Sequence, residues 1–177
     1  RHTRFRNVTG VQTCALPILM EEFFKILRSG SAERAFVMMA ERRLLEPIAP
    51  ALQEGAGPVL WRSLSALDAY RRRFDAPPEG LTNAILLGSL LLPLGYTTRT
   101  FTPEPGPNGE RREPRLSLGM LPLARRDIER LRQILSFQRR LMDLNLSPRA
   151  RRSLMQRGPF HDALTWLEIH GGAPEVL

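Results

Sequence analysis

The sequence predicts an all-α protein, an irregular bundle of helical hairpins interrupted by a disordered Pro-rich insertion. Three observations carry this expectation. Apolar residues recur at helical spacing along most of the chain. Sustained period-two alternation with β-branched residues is missing; residues 96–102 offer one strand candidate, and their loop-like flanks argue against a sheet. Helix punctuation falls where the periodic runs stop, at Gly30, at Ser147-Pro148 and at Gly171-Gly172.

Taken in order, residues 21–50 (EEFFKILRSGSAERAFVMMAERRLLEPIAP) read as two amphipathic helices joined by a Ser-Gly-Ser turn. Phe23, Phe24, Ile26 and Leu27 form one apolar face; Ala32, Ala35, Phe36, Met39 and Ala40 form the next, before Leu44, Leu45 and Ile48. Gly30 suits the position just past a helix end, and Ser31 suits the following N-cap. After a short loop at 55–58, residues 59–74 predict a helix with Leu60, Trp61, Leu64, Leu67 and Ala69 or Tyr70 on one side. Residues 81–92 predict a buried helix within the apolar run at 84–94, which is too short to span a bilayer of about 20 helical residues. Residues 102–114 (TPEPGPNGERREP) carry four prolines and two glycines, and read as a loop. The longest helix is expected over 122–142. Ser147 caps another with Pro148 at its first position, and 159–170 form the last.

Residues 1–18 resemble a translated sequencing adapter. Residues 8–18 (VTGVQTCALPI) match one fixed arm and residues 1–4 (RHTR) the other, with 5–7 as the variable index between them. The expectation is that this segment is foreign and that the natural reading frame, truncated, starts near Leu19. The expected organisation is then a foreign segment at 1–18, a neck-like helical hairpin at 19–50, a helical body at 51–101, a Pro/Gly-rich loop at 102–114 and a basic helical tail at 115–177. The one cysteine, Cys14, falls in the foreign part. Disulfides and cysteine metal sites therefore drop out, which permits a reducing compartment. With no secretory signal visible, the expected location is cytoplasmic.

The formal charge of +8 is unevenly placed. Residues 19–114 balance 12 basic against 12 acidic side chains, whereas residues 115–157 hold 11 arginines against Asp127, Glu129 and Asp143. A basic block on consecutive helices is the electrostatic footprint of a polyanion partner. Arg125, Arg132 and Arg139 are spaced by seven, with Arg126, Arg130 and Arg140 beside them and the apolar set opposite. Arg149, Arg151, Arg152 and Arg157 begin a second basic surface. Arginine suits forked phosphate contacts. The competing reading is a solvated helix face enriched in arginine by GC-rich codons. Phe137, Phe160 and Trp166 read as core rather than as base-stacking platforms, and His161 and His170 as surface histidines.

Catalytic patterns are missing. A phosphate loop ending in Lys-Ser/Thr does not occur, nor does an Asp-x-Asp pair of the kind that holds metal ions at reacting phosphates. Asp68, Asp75, Asp127, Asp143 and Asp162 are scattered and read as caps or as partners of arginine.

Residues 21–50 closely resemble the neck of bacterial poly(A) polymerases and CCA-adding tRNA nucleotidyltransferases, in which a Glu, a Lys-Ile/Leu-Leu, a small-Gly-small turn, an Ala-Phe and a Leu-Leu recur in this order. Arg42-Arg43 depart from the pattern at a place where the family often has glycine. Residues 83–87 resemble a body helix of the family, 121–140 its basic helix and 154–164 its tail pattern. The arginine-rich tail is more similar to poly(A) polymerases than to CCA-adding enzymes. The resemblance implies a parent that transfers AMP from ATP to RNA 3′ ends with Mg²⁺, both bound in a catalytic head that this chain lacks. The fragment itself is expected to be inactive, to hold no cofactor and to have no catalytic or metal residues. Its expected partners are RNA and its own head, with no membrane. The candidate RNA-binding residues are Arg125, Arg126, Arg132, Arg139, Arg140, Arg151 and Arg152. Without a head to cover them, Phe23 and Phe24 are expected to be exposed. The alternatives are a CCA-adding enzyme fragment and a non-catalytic helical interaction module.

Overall fold

The computed structural model describes residues 9–101, 104–105, 111–112, 116, 118–143 and 145–171. Its helices are α1 (Thr9–Leu27), α2 (Ala32–Glu41), α3 (Pro50–Glu54), α4 (Pro58–Arg71), α5 (Asn83–Leu91), α6 (Arg125–Leu141), α7 (Pro148–Met155) and α8 (Phe160–His170). A 3-10 turn at Leu92–Leu94 extends α5. Within the Pro-rich segment, β1 (Glu104–Pro105) pairs antiparallel with β2 (Arg111–Arg112), a two-residue ladder on an otherwise helical chain. The expected disorder of the rest of that segment lies outside the described residues. The all-α expectation holds.

Helix α5 lies at the centre. Every residue from Ala84 to Leu91 is buried, so it is apolar all round, as its sequence suggests, and needs neighbours on all sides. Helices α4 and α6 pack on it, α8 reaches it through Trp166 and His170, and α1 and α2 pack on α4. Gly88 permits the closest approach: a Cβ there would sit 2.5 Å from Trp166 and 2.7 Å from Leu131. Trp166 and Leu131 are fully buried, and Phe137 is 7% exposed. Phe160 is half-buried.

The 21–50 hairpin forms. Met20, Phe23, Phe24 and Leu27 are buried at helical spacing. The expected exposure of Phe23 and Phe24 is therefore corrected: they are 2% and 4% exposed. Phe23 meets Phe36 edge-on at 5.5 Å, and the Arg28 guanidinium covers the Phe24 ring. The hairpin buries its aromatic face against its own second helix and α4. Helix α1 is continuous across the expected boundary at residue 18, with Pro17 inside it.

The hairpin turn is held from α4. Gly30 takes the left-handed conformation, φ 81°, as its position predicts. Ser31, expected to cap α2, makes no side-chain cap. Asp68 supplies it instead: its carboxylate accepts from the backbone N–H of Ala32 at 2.8 Å and of Glu33 at 2.9 Å. One turn along α4, Arg71 donates to the Arg28 carbonyl at 2.8 Å and Arg72 to the Gly30 carbonyl at 3.0 Å. Donors at the start of α2 and acceptors at the end of α1 are thus satisfied by one stretch of α4.

The second turn also forms, without the glycine. Arg43 has φ 54°. Arg43 N–H donates to Ala40 O and Leu44 N–H to Met39 O, the paired bonds of a Schellman ending. Downstream, Met120 N–H donates to Ile48 O at 2.9 Å, and Gly119, at φ 71°, lies against Ile48 and Pro50. This strap ties the segment before α6 to the end of the hairpin.

Candidate nucleic-acid interface

Helix α6 is amphipathic in the way its sequence predicts. Ile128, Leu131, Ile134, Leu135 and Gln138 face the core, while Arg125, Arg126 and Arg140 are exposed. Ser147 caps α7 as expected, its hydroxyl accepting from Ala150 N–H, with Pro148 at the first position.

The candidate arginines do not form one cluster. Arg125 and Arg126 stand in the first turn of α6, and Arg140 at its other end. Fourteen residues separate Arg126 from Arg140, about 21 Å at the rise of an α-helix. Arg126 is almost fully exposed; its nearest carboxylate, Asp127, is 3.9 Å away. Arg132, between the ends, grips Glu129 through two hydrogen bonds of 2.8 and 2.6 Å. That hydrogen-bonded pairing holds the Glu129 carboxyl below its ordinary range and raises the Arg132 guanidinium, so the middle of the strip is partly neutralised. Arg139 lies on α6, but its side chain is outside the described residues. Arg140, Arg151 and Arg152 are exposed.

Arg130 has a structural task. It donates to Asp162 at 2.7 Å and to the Gly158 carbonyl at 2.8 Å, which ties α6 to the start of α8. Asp162 is thus a partner of arginine, as the sequence suggests.

Two concavities flank this strip. The larger, about 840 Å³, lies between the 77–84 segment, α6 and α8. Arg28, Arg126 and Arg130 line it, opposite Glu79, Asp127, Glu129 and Asp162. Burial pulls the Arg28 guanidinium below its ordinary range, with Glu21 and Asp127 opposing. Its three arginines are outnumbered by four carboxylates, so it offers a polyanion no net attraction. The smaller, about 220 Å³, lies between the end of α6 and α7 and is lined by Arg140, Leu146, Ala150, Ser153, Leu154 and Arg157. Arg157 and Ser153 lie outside the seven candidates. The available signal was spacing: Ala150, Ser153 and Leu154 fall on one side of α7, and Arg157 follows just past its end.

His170 corrects the sequence expectation. His161 is exposed, but His170 is fully buried, with Nε2 3.0 Å from Ser89 Oγ and its ring 4.2 Å from that of Trp166. Burial pushes its pKa down to about 3. Among the described residues no cluster of three His, Cys, Asp or Glu side chains could hold a metal ion.

With this geometry in place, the hairpin is also the part of the chain that resembles a known family. Residues 19–55 match the family model described as the probable RNA and SrmB-binding site of polymerase A. The match covers α1 from Leu19, α2 and α3, including both turns. It supports the assignment of this region to the C-terminal part of a poly(A) polymerase. No curated protein and no solved structure matches the chain significantly. No described helix is long and apolar enough to cross a membrane.

Proposed function

We propose that this chain is the RNA-binding C-terminal portion of a poly(A) polymerase, an enzyme that adds AMP from ATP to RNA 3′ ends. The observation that carries the reading is the match of residues 19–55 to the polymerase A model, whose description names RNA as a ligand. The basic surface of α6 and α7 supports it independently: Arg126, Arg140, Arg151 and Arg152 are exposed there, and an arginine-rich surface attracts a polyphosphate by releasing its counterions. AMP transfer, with ATP and Mg²⁺, belongs in this reading to a catalytic head that packs against the neck.

The test is binding of a short single-stranded RNA by the full chain. Affinity should be measurable at low salt and fall steeply as salt rises. Replacing Arg125 and Arg126 with Ala should reduce it several-fold, and Arg132→Ala should reduce it less, because Glu129 already occupies Arg132. Undetectable binding at low salt contradicts the proposal.

A further inference from the structure

The notch between α6 and α7 differs from the larger cleft in the feature that matters for an anion. Two of its six lining residues are arginines and none is acidic. Arg140 and Arg157 are both exposed, and neither guanidinium group makes a hydrogen bond or ion pair with a described residue. Elsewhere on α6 the guanidinium groups of Arg130 and Arg132 are consumed by Asp162 and Glu129. The floor is apolar and fixed: Leu154 is 7% exposed, and Leu146 is packed against the core. Ser153 adds a hydroxyl to the lining. At about 220 Å³ the notch has room for a phosphate group, yet it is smaller than the roughly 300–1,000 Å³ of a pocket that encloses a whole small-molecule ligand.

We propose that this notch seats one backbone phosphate of single-stranded RNA. The forked guanidinium groups of Arg140 and Arg157 approach its oxygens from the α6 and α7 sides, and the Ser153 hydroxyl donates a third hydrogen bond. Arg149, Arg151 and Arg152 continue the positive field along α7, which selects a polyanion over a free anion. The proposal rests on the RNA-binding reading and deepens it, because it converts a diffuse basic surface into one defined contact with a register.

Fluorescence anisotropy of a short labelled single-stranded RNA against the full chain, at several salt concentrations, tests it. Arg140→Gln/Arg157→Gln should lose about tenfold in affinity at low salt, and its salt slope should shrink by about 0.7, one phosphate's worth for a single strand. Ser153→Ala should lose about threefold, the effect of one hydrogen bond. Arg140→Lys/Arg157→Lys, which keeps the charge and loses the forks, should fall between wild type and the glutamine pair. The charge-matched Arg62→Gln/Arg99→Gln, neither of which lines the notch, should stay within about twofold. Thermal melts of each variant establish that it is folded. If the two glutamine pairs lose affinity equally, or if the slope does not change, the notch is only part of the net charge and the inference falls while RNA binding stands. If the wild-type chain does not bind RNA at low salt, the RNA-binding reading falls and takes the notch with it.

Discussion

His170 carries the clearest single-residue consequence. It lies in the core with Ser89 and Trp166, and burial pushes its pKa from the ordinary 6.5 down to about 3. The folded state therefore keeps the imidazole neutral, whereas the unfolded chain takes up a proton below about pH 6.5. Stability is full above that pH and is lost as pH falls toward 3, by up to about 1.4 kcal/mol per unit. The melting temperature should be flat from pH 8 to 7 and drop below 6.5; His170→Gln should flatten part of that acid limb. An unchanged limb in the variant would place the acid sensitivity elsewhere. This burial was readable in the sequence, since His170 follows Trp166 by four residues and Ala163 by seven on the apolar side of α8.

At the scale of elements, the hairpin depends on α4. Asp68 is 2% exposed and receives two backbone N–H groups from α2. Asp68→Ala would leave the buried Ala32 N–H and the partly buried Glu33 N–H without partners, and should cost about 3 kcal/mol in denaturant unfolding. A loss under about 0.5 kcal/mol would show that the cap is dispensable. The Arg43 turn makes the opposite prediction. A non-glycine residue at φ 54° carries about 1 kcal/mol of left-handed strain, so Arg43→Gly should raise the melting temperature by about 3 °C; a lower melting temperature would refute the strain. Helix positions and the Gly30 turn were legible because periodicity and punctuation are local signals. The Asp68 cap was not, because it joins residues 36 positions apart. The sequence suggested that Asp68 was a cap or an arginine partner, but the helix it caps is set by tertiary packing. Ser31 looked like the cap because its type fits that position.

For the whole molecule, the asymmetry of charge has structural content. The half that contains the hairpin is electrically balanced, and the unbalanced arginines lie on α6 and α7, away from the apolar centre around α5. The sequence located that block but could not sort its members. Only packing separates Arg130, which ties α6 to α8, and Arg132, which grips Glu129, from Arg126 and Arg140, which face outward. Arg157 gained its role when α7 folded beside the end of α6. This outer surface is the proposed RNA-binding face. A salt titration of the full chain with a short single-stranded RNA tests it most directly. Affinity should be measurable at low salt, with a logarithmic slope of several times −0.7, one increment for each phosphate contacted. Binding that is absent at low salt, or that is indifferent to salt, would contradict it.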